Sequence, residues 1–287
     1  MLLQISKQKL LDILTIVGSA IERRHTINIL SNVKIQISKD QLIATGSDLE
    51  VELKAKCTLN DGECIVEGET TIPARKLLEI CKSLPPQAIL KLTATEDDRC
   101  IITSGKSKFT IGTRPTDDFP MLLNGELKGV VVEVEQSELK RLFDKTAFAM
   151  AVQDVRFYLT GTLLEISPSL LKAVTTDGHR MAICETVIES NTPETKKVII
   201  PRKGVSEIQR LVAANNKKLK LYFSNEFLHA EISQTTKDGD ELTVFLTTKL
   251  IDGKFPDYSR VIPTRNDKKA NLTLADFKDC LTRVAIL

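Results

Sequence analysis

Apolar residues recur near the start of the chain at helical spacing, with Leu10, Ile13, Leu14, Val17 and Ile21 falling on one stripe. That is the pattern of an amphipathic helix. Leu139, Leu142, Phe143, Thr146 and Met150 repeat the stripe, each 129 residues further on. A second stripe, Leu77, Ile80 and Leu84, follows Ile72-Pro73, and Val205, Ile208 and Val212 follow Ile200-Pro201, the dipeptides being 128 residues apart. Proline near the first turn costs nothing, because the first N–H groups of a helix have no intrahelical acceptor. Between the helices the polarity alternates with a period of two, as in Val33-Lys34-Ile35-Gln36-Ile37 and Leu219-Lys220-Leu221-Tyr222-Phe223, with turn signals at Asp61-Gly62 and Asp238-Gly239. Such alternation predicts strands with one buried face.

The chain therefore carries an internal repeat. Asp48 in the stretch ATGSD recurs as Asp177 in AVTTD, and Phe-Pro closes each copy, at Phe119-Pro120 and Phe255-Pro256. Each copy reads as helix, strands, helix, strands, an α+β domain with sheet on one side and a helix pair on the other. The expected division is a first domain over residues 1–125, a second over 126–263, and the opening of a third over 264–287. Phe277, Cys280, Leu281 and Val284 continue the first-helix stripe in that last segment, which has room for one strand and one helix but not for a core. The expectation is a truncated chain, mainly monomeric in dilute solution.

Composition narrows the class. Forty Lys and Arg stand against 38 Asp and Glu in 287 residues, so the net charge of +2 gives no global attraction to an anionic partner. Any such affinity is local. Charged residues interrupt every apolar stretch, which excludes a signal peptide or membrane helix. Cys57, Cys64, Cys81, Cys100, Cys184 and Cys280 form no C-x-x-C pair and read as reduced thiols of a cytoplasmic protein. No metal or cofactor is expected.

Candidate chemistry is sparse. Gly105-Lys106-Ser107 lacks the upstream glycine of a phosphate-binding loop, Cys100 standing in its place, and predicts a plain turn. Asp177-Gly178-His179-Arg180 offers an acid and a base but no nucleophile or metal ligand at a supporting spacing. Asp177 instead pairs with Asp48 as a shared structural aspartate. Basic residues recur on the helices, among them Lys7 and Lys9, Arg75, Lys76 and Lys82, Lys140, Arg141 and Lys145, and Arg202, Lys203 and Arg210. If the repeats stack edge to edge, these helices present a basic track to phosphates without reading bases.

The stretches GSDLE (46–50), IPARKLLEIC (72–81), DFP (118–120), QDVRFYLTG (153–161), TTDGHRMA (175–182), IPRKGV (200–205) and KLIDGKFPDYSRVIP (249–263) resemble, in order, those of the bacterial sliding clamp family, the beta subunit of DNA polymerase III. The resemblance implies repeated clamp domains, antiparallel sheets outside and helices inside, closing head to tail as a homodimeric ring in full-length members. It implies a non-catalytic processivity factor that encircles double-stranded DNA irrespective of sequence. The partners implied are the polymerase alpha subunit, the clamp loader and other proteins bearing a clamp-binding peptide. Family DNA contacts map onto Arg24, Arg75, Gln153, Phe157, Tyr158, Arg202 and Lys203. The peptide pocket maps onto Leu159, Thr176, Gly178, His179, Arg180, Met181, Pro256, Arg260 and Val261, with the family's remaining pocket strands beyond residue 287. An apolar floor of Leu159, Met181, Pro256 and Val261 rimmed by Thr176 and Arg180 suits a peptide anchor. Leu159→Asp or Met181→Asp is expected to abolish peptide binding while sparing the fold. The competing readings are a nucleotide-metabolism enzyme using His179, Arg180 and the basic helices, and a repeat scaffold that binds no DNA.

Overall fold

The computed structural model describes residues 1–22, 26–123, 127–236, 238–263 and 266–286. The first repeat runs β1 (Leu2–Ser6), α1 (Lys7–Val17), β2 (Asn32–Ser38), β3 (Gln41–Ser47), β4 (Val51–Thr58), β5 (Cys64–Val66), β6 (Gly68–Pro73), α2 (Ala74–Ser83), β7 (Ile89–Ala94), β8 (Arg99–Ser104) and β9 (Ser107–Gly112). The second follows the same order: β10 (Val130–Glu135), α3 (Gln136–Asp144), β11 (Gly161–Ile166), β12 (Leu170–Thr176), β13 (Met181–Val187), β14 (Glu189–Ser190), β15 (Lys196–Pro201), α4 (Arg202–Leu211), β16 (Lys218–Phe223), β17 (Phe227–Thr235) and β18 (Glu241–Lys249). Residues Met1–Lys254 form one compact unit and Phe255–Leu287 another, which holds the helix α5 (Leu274–Val284).

Local chemistry sets the helix starts. Ser6 caps α1, its Oγ accepting the Lys9 N–H at 3.2 Å. Pro73 and Pro201 end β6 and β15 and serve as the N-cap residues of α2 and α4, where a missing N–H breaks no ladder. The predicted first-helix stripe outruns its helix in both copies. Ile21 lies past a 3-10 turn at Gly18–Ala20, and Met150 past one at Ala147–Ala149. In the second copy the buried Thr146 donates its hydroxyl to the Leu142 carbonyl at 2.8 Å, and its own carbonyl accepts the Ala149 N–H at 3.0 Å and the Thr175 hydroxyl at 2.6 Å.

Helices pack in pairs, α1 on α2 and α3 on α4, each pair lying on its own repeat's strands. Val205, Ile208 and Leu211 of α4 are buried, each contributing about 2 kcal/mol by leaving water. One hydrophobic cluster runs from Leu3 to Leu246 through both repeats.

The sheets explain that continuity. In the first repeat β5-β1-β7-β8-β9 forms one sheet. Its counterpart in the second, β14-β10-β16-β17-β18, joins the first repeat's β4-β3-β2-β6 into nine antiparallel strands, while β13-β12-β11-β15 stands alone. The junction is β18 on β4, with Leu246 opposite Leu53, Val244 opposite Ala55 and Leu242 opposite Cys57. All six side chains are buried, so the two repeats share a core rather than merely touching. The strands β9 and β13, equivalent by the repeat to β18 and β4, pair only with β8 and β12 respectively among the named strands.

Two sequence expectations change. The segment after residue 263 forms no strand among the described residues, only α5, which buries none of its own side chains. Lys9 is not part of a solvated basic face. It is 2% exposed, with Nζ 2.8 Å from Glu63 Oε2.

Candidate nucleic-acid interface and peptide site

Asp48 and Asp177 do the same job. Asp48 Oδ1 accepts the N–H groups of Glu50 at 2.9 Å and Val51 at 2.7 Å, and Asp177 Oδ1 accepts those of His179 at 2.9 Å and Arg180 at 3.0 Å. Each aspartate closes the turn that leads into the next strand, β4 or β13, by mimicking a backbone acceptor. The residue after each lies in the left-handed region, Leu49 at φ 72° and Gly178 at φ 89°. These backbone bonds, then Arg180, hold the Asp177 carboxyl down at about 2.

The other oxygen of Asp48 meets Lys203 across the repeat boundary, and Lys203 Nζ also lies 2.9 Å from Glu22 Oε1. Burial alone would lower the Lys203 pKa, but the hydrogen bonds and charges of Asp48 and Glu22 outweigh it and raise it. Beside this pair, Arg210 donates to the Ile16 carbonyl at 3.0 Å and to Ser19 Oγ at 2.6 Å, while Glu207 accepts from Ser19 and Arg210. Helix α4 is thus tied to the end of α1 by a polar cluster over the β18–β4 junction.

Arg202, at the start of α4, donates to the carbonyls of Met150 at 2.7 Å and Ala151 at 3.1 Å. It pins the segment that carries Gln153, Phe157 and Tyr158. Gln153 sits at φ 53°, Asp154 takes Arg156 in a 2.7 Å ion pair, and the Phe157 and Tyr158 rings meet edge to face at 5.8 Å. Val152, Val155 and Phe157 are exposed there. The proposed DNA residues Gln153, Phe157, Tyr158, Arg202 and Lys203 therefore belong to connected parts of the second repeat. Arg75 is on α2 of the first, with 79% of its side chain exposed and Nε 2.8 Å from Glu79 Oε1. Arg24 lies outside the described residues.

Of the peptide-pocket residues, Thr176, Gly178, His179, Arg180 and Met181 all stand on the Asp177 turn. Thr176 Oγ1 donates to the Arg180 carbonyl at 2.7 Å and accepts the Gly178 N–H at 3.1 Å. Arg180 reaches the Phe148 carbonyl at 2.9 Å and covers that ring at 5.6 Å, a cation–π contact. Its guanidinium is a strut of the turn. Leu159 is 2% exposed, its N–H donating to the Arg156 carbonyl at 2.8 Å. This corrects the sequence expectation for Leu159→Asp: a carboxylate there is buried, and the substitution attacks the fold as well as any pocket. Pro256, Arg260 and Val261 lie in the second unit, where Arg260 pairs with Asp257 at 2.8 Å and Val261 is exposed.

Arg156 is the residue that sequence reasoning missed. Its guanidinium donates to the Asp177 carbonyl at 3.4 Å and lies over Gly178, where a Cβ would come within 3.2 Å of both terminal nitrogens. It links the Gln153–Tyr158 segment to the Asp177 turn. The available signal was its place in QDVRFYLTG, two residues after an acid and next to an aromatic pair.

Among the described residues no group of three or more His, Cys, Asp or Glu could hold a metal ion, and no helix is long and apolar enough to cross a membrane. Residues 1–123 match the sequence family described as DNA polymerase III beta subunit, N-terminal domain, and residues 133–257 match its central domain. The beta sliding clamp of Pseudomonas putida KT2440 is 40% identical over 283 residues, 99% of this chain and 74% of that one. The beta sliding clamp of Escherichia coli K12 is 37% identical over the same shares. Among solved structures, a sliding clamp from Pseudomonas aeruginosa bound to griselimycin superposes with a TM-score of 0.89 at 39% identity, over 100% of this chain and 74% of that one. The Caulobacter crescentus beta subunit superposes at 0.84 with 34% identity, over 100% of this chain and 75% of its own. With both domain families matched in order and this identity sustained along its length, the chain belongs to the beta subunit family of DNA polymerase III, the bacterial DNA sliding clamps.

Proposed function

We propose that the chain works as a non-catalytic processivity factor in the cytoplasm, forming part of a head-to-tail homodimeric ring that encircles duplex DNA and tethers the replicative polymerase. The observation that carries this reading is the β18–β4 junction. Two repeats of the same element order are joined strand to strand, which is how a ring of repeats is built. We divide the chain functionally into clamp domains over residues 1–125 and 126–263, with residues 264–287 opening a third.

The DNA face we propose consists of Arg24, Arg75, Gln153, Phe157 and Tyr158, with Arg202 fixing the segment that carries the last three and Lys203 adding positive field. Phosphate contacts of this kind hold DNA without reading sequence. We assign the peptide site to the Asp177 turn, with Met181 as apolar floor, Thr176, Gly178, His179 and Arg180 as rim and Leu159 supporting from beneath, and the family resemblance adds Pro256, Arg260 and Val261 to the same role. This site takes the short linear peptides of the polymerase alpha subunit, the clamp loader and other clamp-binding proteins. The test is loading by a bacterial clamp loader onto nicked circular DNA. Retention on circles that is lost when the DNA is cut open supports encirclement, and equal retention on linear DNA overturns it.

A further inference from the structure

We propose that the second repeat carries a small-molecule site on the sheet face turned away from its helices, a pocket that takes a flat heteroaromatic ring with an in-plane nitrogen acceptor and gives it the His229 Nε2–H as donor. The pocket shares no residue with the DNA face or the peptide site, and the inference depends on neither.

Strand alternation builds the pocket floor. Leu221 and Phe223 of β16, Leu228 and Ala230 of β17, and Val244 and Leu246 of β18 belong to the core. Tyr222, His229, Phe245 and Thr247 alternate with them and therefore face the other way. Tyr222 stands opposite His229, and His229 opposite Thr247. The far face of an antiparallel sheet is usually polar, because water covers it. Here it is aromatic: the His229 ring, 8% exposed, stacks on Phe245 at 5.8 Å and meets Tyr222 at 6.0 Å. Leu123, Leu127 and Phe227 complete the walls of a cavity of about 280 Å³. That is the small end of ligand pockets and suits one ring system rather than an extended chain.

The hydrogen bonds decide what the ring must offer. His229 Nδ1 lies 2.9 Å from Thr247 Oγ1, and that hydroxyl, 2% exposed, has no other partner among the described residues. The hydroxyl therefore spends its proton on Nδ1. Burial, then the charge of Lys54, keeps the imidazole neutral at neutral pH, so its single ring proton sits on Nε2. Nε2 makes no hydrogen bond among the described residues, yet it is not one of their sealed, unpartnered atoms, which are Thr45 Oγ1, Asp48 Oδ2 and Glu52 Oε1. Its remaining access is to the pocket that His229 lines. A lone donor between leucine and aromatic walls selects a planar apolar ring with one acceptor in its plane. The walls are set before any ligand arrives. Lys196 holds the β16–β17 hairpin by donating to the carbonyls of Phe223 at 3.1 Å and Ser224 at 2.9 Å. Gly129, at φ 140°, brings the chain entering β10 so close that a Cβ would strike the Phe223 carbonyl.

Isoquinoline and naphthalene have the same shape and differ by one ring nitrogen, so they test the donor directly. In titrations of the whole chain with histidine ring nitrogens labelled, isoquinoline is expected to bind saturably and several-fold more tightly than naphthalene. The His229 signals should move on binding and those of His179 should not. His229→Phe keeps an aromatic floor and removes the donor, so it should erase the preference between the two rings. Leu127→Asp, on the exposed wall, should weaken both rings several-fold while the labelled His229 reports that the floor is intact, and it carries the test if His229→Phe loses its fold. Absence of saturable isoquinoline binding overturns the proposal. Equal affinity for the two rings in the wild-type chain, shifts at His179 instead of His229, or binding indifferent to Leu127→Asp overturns it as well.

Discussion

Asp48 and Asp177 show how one residue type serves two purposes through its two oxygens. One oxygen builds the turn, while the other is free to meet a cation, Lys203 for Asp48 and Arg180 for Asp177. Asp48→Ala removes two backbone bonds and leaves Lys203 with Glu22 alone, so it should cost about 2–4 kcal/mol in urea unfolding. Asp177 has a folded-state pKa of about 2, below the ordinary 3.8. Its contribution is therefore complete above the ordinary value and lost as pH falls toward 2. His229 titrates in a more accessible range. It is buried between Tyr222 and Phe245, with Nδ1 2.9 Å from Thr247 Oγ1, and burial, then the charge of Lys54, lowers its pKa to about 4. Between that value and the ordinary 6.5, the unfolded chain binds a proton that the folded chain refuses, so stability drops as pH falls. At about 1.4 kcal/mol per unit the loss reaches a few kcal/mol. The urea midpoint should fall from pH 7.5 to pH 4.5, and His229→Phe should flatten that dependence. The aspartate turn was legible in sequence because Asp48 and Asp177 share a step with the helices. Arg156 was not, because its role rests on a guanidinium lying over a glycine distant in sequence.

At the scale of elements, the repeat made the fold readable. The same stripe and the same proline marked α1 with α3 and α2 with α4, and alternation marked the strands. Strand pairing across the boundary was not legible, since the residues of β4 and β18 look alike whether they meet each other or solvent. Their burial in a joint core is what identifies the junction. Helix ends were misjudged for a related reason: Ile21 and Met150 continue the apolar stripe because the 3-10 turns that follow the helices bury the same face. Exposure separates two substitutions that sequence treats alike. Leu159→Asp buries a carboxylate and should lower stability by about 3 kcal/mol or more, visible as an earlier urea transition. Met181→Asp, at the half-exposed start of β13, should leave the transition within about 0.5 kcal/mol and abolish capture of a clamp-binding peptide in fluorescence polarisation. Equal stability losses for the two would remove the distinction between support and floor. Arg210→Ala tests the polar tie between α4 and α1. Losing its bonds to the Ile16 carbonyl and Ser19 should cost about 1–2 kcal/mol and leave Glu207 uncompensated.

For the whole molecule, charge is distributed by use rather than by count. With a net charge of only +2, attraction to DNA must come from a few cations left unneutralised at one surface. Lys9 is neutralised by Glu63, Lys203 by Asp48 and Glu22, and Arg210 by Glu207, so much of the basic recurrence seen in sequence serves the fold. The segment pinned by Arg202 is different, since it offers the exposed Phe157 ring and the amide of Gln153. Two kinds of variant should then separate in salt titrations of binding to duplex DNA. On the proposed DNA face, Arg24→Gln should reduce the slope of log affinity against log salt by about one unit, equally for every sequence. Gln153→Ala removes a neutral contact, so it should weaken binding with the slope unchanged. Lys203→Gln should do more harm to the urea transition than to the slope, because its charge is already spent on Asp48 and Glu22. A full unit of slope lost in Lys203→Gln with no change in stability would show that its ion pairs open on DNA, and would return Lys203 to the phosphate track.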